Sequence, residues 1–223
     1  MRRRKFYGKI VLAFSLFTVA ILLVGLLFIL LETGFVGRIR DVIFREGPLQ
    51  SRTENTMPHP DWTEDFLTVN AYSRPGKSLK KVKDIFVHYT ANPGTSAAQN
   101  RSYFEQLKDT HERAASAHFI IGYEGEILLC VPLNEIAYAV KTRNEDSLSI
   151  ECCYLNEDGS FTEETYESLI ELLVWLLREY NLDTDNLLRH YDCGGKKCPL
   201  YYTENEDAWE QLKQEVATRL REN

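Results

Sequence analysis

Ten residues near the end of the chain, His190-Tyr191-Asp192-Cys193-Gly194-Gly195-Lys196-Lys197-Cys198-Pro199, carry an imidazole, two thiols, two cations and a Gly-Gly step. Glycine takes up backbone angles that other residues resist, so the run can fold back and turn His190 and Cys198 toward one centre. Imidazole nitrogen and thiolate sulfur are borderline-soft donors that suit zinc. A catalytic zinc keeps three protein ligands and one open position, which calls for a third ligand upstream. A closed structural site of His190, Cys193, Cys198 and one more ligand satisfies the same donor chemistry without catalysis.

Four other histidines compete for that third place. His59 lies in a polar stretch, and His111 ends a polar helix, where the helix dipole already favours a cation. His118 opens a strand, a position where histidine more often serves as a hydrogen-bonded structural residue than as a ligand. His88 stands at the C-terminal end of Asp84–Thr90, DIFVHYT, a run rich in β-branched and aromatic residues. Strand ends of that kind are where α/β sheets hold their ligands.

The elements that must position these groups follow from periodicity and punctuation. DIFVHYT reads as a central strand; Asn92-Pro93-Gly94 stops it, and Thr95 or Ser96 caps a helix to about Thr110. Ala117–Gly122 and Glu126–Pro132 form a hairpin about Tyr123-Glu124-Gly125. Ser147–Tyr154 is a further strand. Thr162 caps a helix whose Leu169, Leu172, Leu173, Leu176 and Leu177 make a wide apolar stripe that must pack on the sheet. Asn186–Arg189 is a short strand that delivers His190, and Glu206–Arg221 is an amphipathic helix. Strands interleaved with helices give an α/β class, a central mixed β-sheet flanked by helices.

Ahead of this domain, Ile10–Leu31 carries no charge over 22 residues. As a helix it reaches roughly 33 Å, enough to cross a bilayer core. Arg2, Arg3, Arg4 and Lys5 precede it, so the N-terminus is expected in the cytoplasm and the rest outside. The expected organisation is a cytoplasmic basic tail (1–9), a transmembrane helix (10–31), a juxtamembrane stalk (32–60) and a folded domain (61–223). The rival, a cleaved signal peptide, fits less well, because the apolar run exceeds the usual length and no small-residue cleavage site follows it. Beyond Leu31 the chain has 21 basic residues against 33 acidic ones. That balance argues against nucleic acid and against adhesion to anionic polymers by charge alone. All five cysteines lie in this exported part, where disulfides are permitted, yet Cys130 and Cys152 read equally well as buried thiols.

Four blocks, RPGKSLKKVKDIFVHYTANPGTSA from Arg74, SAHFIIGYEGEI from Ser116, SLSIECCY from Ser147 and RHYDCGGKKCP from Arg189, together resemble the zinc-dependent N-acetylmuramoyl-L-alanine amidases. This family is related to phage endolysin amidases and peptidoglycan recognition proteins. The similarity covers roughly Tyr72 to Ala217, in the family's order. It implies His88, His190 and Cys198 as zinc ligands, Glu151 as the catalytic carboxylate and Lys196, two residues before the cysteine, as the catalytic cation. Zinc activates water and polarises a carbonyl, Glu151 takes the proton and Lys196 steadies the oxyanion, so the implied reaction is amide hydrolysis in peptidoglycan. Two features depart from the family: Ala137-Tyr138-Ala139-Val140 keeps an aromatic but lacks the histidine many members pair with it, and Ala117 stands where some relatives have a tyrosine. Two alternatives share the fold, a catalytically silent wall-binding sensor and a zinc amidase acting on another wall-peptide amide. Presence of the cysteine ligand favours the enzyme.

Overall fold

Runs of β-branched and aromatic residues set the strands, and the computed structural model, which describes residues 58–222, gathers six of them into one sheet. They are β1 (Thr63–Glu64), β2 (Asp84–Tyr89), β3 (Phe119–Ile121), β4 (Ile127–Leu129), β5 (Ser147–Cys152) and β6 (Leu187–Arg189), in the order β1-β4-β3-β5-β2-β6. Strand β2 runs parallel to β5 on one side and β6 on the other, and β3 runs parallel to β5. Only the β3–β4 hairpin is antiparallel, so the sheet is mixed. DIFVHYT was expected at the centre. It is interior but second from the edge, because only the short β6 lies outside it. The expected transmembrane helix at 10–31, the tail at 1–9 and the stalk up to residue 57 lie outside the described residues. Among the described residues no helix is long and apolar enough to cross a membrane.

Alternation sends successive strand residues to opposite faces. Ile85, Val87, Leu148, Ile150, Phe119 and Ile121 line one face and join the main core under α2 (Glu163–Glu179) and α4 (Glu206–Glu222). The five leucines of the α2 stripe are fully buried there. Each contributes on the order of 1.5–3 kcal/mol by leaving water. Thr162 caps α2 by accepting from the Thr165 amide. Its hydroxyl, and that of Thr165, donate to the carbonyls of Tyr123 and Gly122, which ties the helix start to the hairpin turn.

The other face carries Phe86, His88, Ser149, Glu151 and Ile120. Helix α1 (Ala97–Thr110) covers its β3–β4 side, packing Ala97, Phe104 and Leu107 against Ile120, Cys130, Val131 and Cys153. Ser96 caps α1 in a reciprocal box with Gln99. One helical turn, α3 (Leu200–Glu204), had no signature in the sequence pattern; it follows directly on Cys198-Pro199. All five cysteines are free thiols, and Cys130, Cys152, Cys153 and Cys198 are buried.

Candidate metal centre and active site

Strand register assembles the site in one row. Parallel pairing sets His88 opposite Glu151, and β3 sets Ile120 opposite Glu151 on the far side. On the other flank Val87 faces Arg189, so the residues that follow them, His88 and His190, come level where β6 ends. A one-residue slip would turn this whole row to the opposite face.

His88 is 2% exposed, and its Nδ1 lies 3.2 Å from His190 Nδ1, 3.7 Å from Cys198 Sγ and 4.0 Å from Glu151 Oε1. The His88 and His190 rings meet edge to face at 4.8 Å. Among the described residues, donor atoms of His88, His190 and Cys198 lie within 4.8 Å of one another and could hold a metal ion. Burial, then the charges of His190 and Lys196, pushes His88 well below the usual histidine range; burial with Lys196 and Lys141 lowers His190. Both imidazoles are therefore neutral with lone pairs available. Burial pushes the Cys198 thiol up to about 12, Glu151 adds to it, and the Tyr89 amide and Lys196 oppose it, so a thiolate here calls for a cation. Three further polar atoms crowd the row buried and without hydrogen-bond partners: His88 Nε2, Glu151 Oε2 and Thr90 Oγ1.

Glu151 keeps 18% of its side chain exposed, so it is reachable from solvent while one oxygen is buried. Burial raises its carboxyl to about 8, with Lys196 and Arg113 acting in the opposite sense. Proton affinity of that order suits a base working near neutral pH.

The turn that carries His190 is held by Arg189. A single helical turn, His190–Cys193, ends at Gly194 and Gly195, with φ of 119° and 75°, angles that disfavour any side chain. The chain then returns, and the Tyr191 amide donates to the Cys198 carbonyl at 3.0 Å, which brings Cys198 beside His190. Buried Arg189 donates to both Asp192 oxygens, to the Tyr202 carbonyl at 2.8 Å and to Glu206 at 2.7 Å, and lies against the rings of Tyr191 and Trp209. The sequence places Arg189 only as the end of the strand that delivers His190 and as part of a block; its i,i+3 spacing to Asp192 is the signal for this bracing role.

The two lysines part company. Lys197 donates to Glu204 at 2.9 Å on the surface, whereas the charge of Lys196 acts on His88, His190, Glu151 and Cys198. The remaining histidines have other work. His59 stacks on Trp62, His111 caps α1 and stacks on Tyr72, and His118 is hydrogen-bonded through both ring nitrogens. Cys193 is half-buried and stands outside the donor group. Nothing local in the sequence marks Arg113, yet its Nε donates to the Tyr103 hydroxyl at 2.7 Å and its charge reaches Glu151.

A sheet whose strand ends bring two imidazoles, a thiol and a carboxylate together has the fold of solved bacterial lysins. An endolysin from Bacillus subtilis, solved as a mutant, superposes with a TM-score of 0.59 at 30% identity, covering 70% of this chain and 98% of that one. The catalytic domain of XlyA gives 0.60 at 27% identity, covering 70% and 99%. The family model for N-acetylmuramoyl-L-alanine amidase (Amidase_2) matches residues 78–200. The chain belongs to that family. It is 33% identical over 180 residues to the N-acetylmuramoyl-L-alanine amidase BlyA of Bacillus subtilis (strain 168), covering 71% of this chain and 47% of that protein. With CwlL of Bacillus licheniformis it is 34% identical over 170 residues, covering 70% and 47%. The chain thus spans about half the length of these curated relatives.

Proposed function

We propose that this chain is a peptidoglycan hydrolase that cleaves the amide bond between N-acetylmuramic acid and the L-alanine of the stem peptide, using zinc held by His88, His190 and Cys198. The observation that carries it is the convergence of those three donors beside Glu151 in a chain of the amidase family. The donor set fits zinc: two neutral imidazoles and one thiol, with both Nδ1 atoms turned inward. When bound there, zinc supplies Lewis acidity and a water acidified toward neutrality.

The chain's own residues do the rest. Burial disfavours the charged form of His88 and His190, and in the tautomer with the proton on Nε2 each would offer its Nδ1 lone pair to the metal. Cys198 gives up its proton on ligation. Glu151 takes a proton from the attacking water at a carboxylate oxygen and later passes it to the leaving amide nitrogen. Lys196, with no ion-pair partner of its own among the described residues, offers N–H groups to the oxyanion that develops on the carbonyl. Lys197 is already engaged by Glu204.

The reading includes placement. Residues 10–31 anchor the chain in the cell membrane with residues 1–9 in the cytoplasm, a stalk at 32–60, and the domain at 61–223 facing the wall. The uncharged 22-residue run and the basic cluster before it support this. The test of the chemistry is Glu151→Gln, which should keep zinc while release of new amino termini from purified peptidoglycan falls to background; undiminished release sinks the role of Glu151. Products must be intact disaccharide and free stem peptide, since cleavage elsewhere in the stem would name another amide.

A further inference from the structure

Where the start of α2 meets α3 and α4 there is an open cleft of about 310 Å³ that the proposed reaction does not use. Phe161, Tyr166, Tyr201 and Tyr202 wall it, and Glu163 and Gln211 stand at its rim. The aromatic wall is fixed by packing. Tyr202 is 4% exposed, with its ring 5.3 Å from both Phe161 and Tyr201 and 5.9 Å from Trp209. Ser160 and Thr162 in the lining are hydrogen-bonded within the chain, but among the described residues no hydrogen bond or ion pair engages the hydroxyls of Tyr166, Tyr201 and Tyr202, the Glu163 carboxylate or the Gln211 amide. The Tyr202 hydroxyl is not a buried orphan either, so it reaches accessible space.

The chemistry of the lining narrows the ligand. Among the described residues no cation lines the cleft and its one charge is Glu163, so an anion has nothing there to pair with. Ring faces present apolar area to a flat partner, while phenol, amide and carboxylate groups at their edges give and accept hydrogen bonds. A pyranose with an acetamido arm has that same division, an apolar C–H face and a polar rim. The volume lies at the small end of ligand pockets, roughly 300–1,000 Å³, and suits one ring rather than a folded peptide.

Position ties the cleft to the reaction. Tyr201 follows Cys198 by three residues in the chain. At Gly159, with φ of 79°, a Cβ would meet Leu200 Cβ, the Tyr201 amide and the ring of Tyr89, the residue after His88. The cleft lies on the α2/α4 face of the sheet, and α3 and Tyr89 link it to the strand end that carries the donor row on the opposite face. We propose that the cleft is a glycan subsite, binding an N-acetylhexosamine of the strand from which the scissile peptide hangs. This rests on reading the chain as a wall amidase.

The test titrates the full chain with the β-1,4-linked trimer of N-acetylglucosamine in a calorimeter, with trilysine as the competing probe. Saturable binding of the trimer is expected, weakened about fivefold or more by Gln211→Ala and by Tyr201→Ala, the scale of one lost hydrogen bond or stacked ring. Gln211 is exposed on α4, so its variant keeps the result readable if Tyr201→Ala fails to fold. The ratio of turnover on intact wall to turnover on a single muropeptide should fall in both. No saturable binding, binding unmoved by Gln211→Ala, or preference for trilysine would overturn the subsite. Trimer binding without any release of amino termini would instead sink the amidase reading and leave the cleft standing.

Discussion

His88 Nδ1 and His190 Nδ1 face each other at 3.2 Å across 102 residues of sequence, with Cys198 Sγ 3.7 Å from the first. Two such nitrogens share either one proton or one cation, and burial makes the imidazolium at His88 costly. A divalent ion held between them would resolve the contact. Binding to the folded chain alone stabilises it by about 4 kcal/mol at a thousandfold excess over the dissociation constant. Thermal melting with zinc should therefore exceed melting with a chelator, and His190→Ala should close the gap. Equal melting of the parent chain under both conditions would refute a metal at this place.

Lys196 and Lys197 are adjacent in sequence but not in role. Lys196→Met should lower kcat by about 10²–10³, the usual loss on removing one oxyanion donor, with little change in zinc content. Lys197→Met breaks a surface pair with Glu204 and should leave kcat within about twofold. Steady-state kinetics on a soluble muropeptide separates the two; equal effects would mean the pairing with Glu204 does not decide which lysine acts.

Arg189 acts through His190 and is a positioning residue. Arg189→Met keeps the bulk but strands the Tyr202 carbonyl and leaves Asp192 only the Arg189 backbone amide. A loss of roughly 2–4 kcal/mol in denaturant unfolding is expected, since the buried carbonyl and the carboxylate both lose the guanidinium. A purely structural role would stop there. Looser zinc retention after mild chelation should accompany it, because the turn that holds His190 is no longer braced.

The helices were legible because their ends carry chemistry: Thr162 caps where the pattern placed it, Ser96 is the one of the two residues offered, Thr95 or Ser96, that caps α1, and the leucine stripe of α2 lies flat on the sheet. The hairpin was legible from its Glu-Gly turn. Strand β1 was not, since two residues, Thr63 and Glu64, have no period to read, and they are held only by pairing with β4. Helix α3 hid behind Pro199 in a single turn. Within the site, His88 stood out by its place at a strand end. Spacing from Cys198 already favours Lys196 over Lys197; the Lys197–Glu204 pair that sets the two apart in the structure, and the bracing of Arg189 by Glu206 and Tyr202, involve partners that local spacing does not reveal.

His118 offers the clearest dependence on pH. Its Nδ1 accepts from the Ser149 amide at 3.1 Å and its Nε2 donates to the Glu135 carbonyl at 3.0 Å, so the two backbone groups fix a neutral tautomer. A second proton would land on Nδ1 and face an amide hydrogen. Burial, only partly offset by the Glu135 carbonyl and carboxylate, lowers the group from 6.5 to about 4. The folded value lies below the unfolded one, so as pH falls the unfolded chain takes up the proton first. Stability from this group is whole above about pH 6.5 and is lost down to about pH 4, by about 3 kcal/mol in all. His118→Asn can retain an acceptor for the Ser149 amide and does not titrate in this range. Unfolding measured from pH 7 to 4 at fixed zinc should show the parent losing stability faster than the variant, and parallel curves would mean that His118 is already free to ionise in the folded chain.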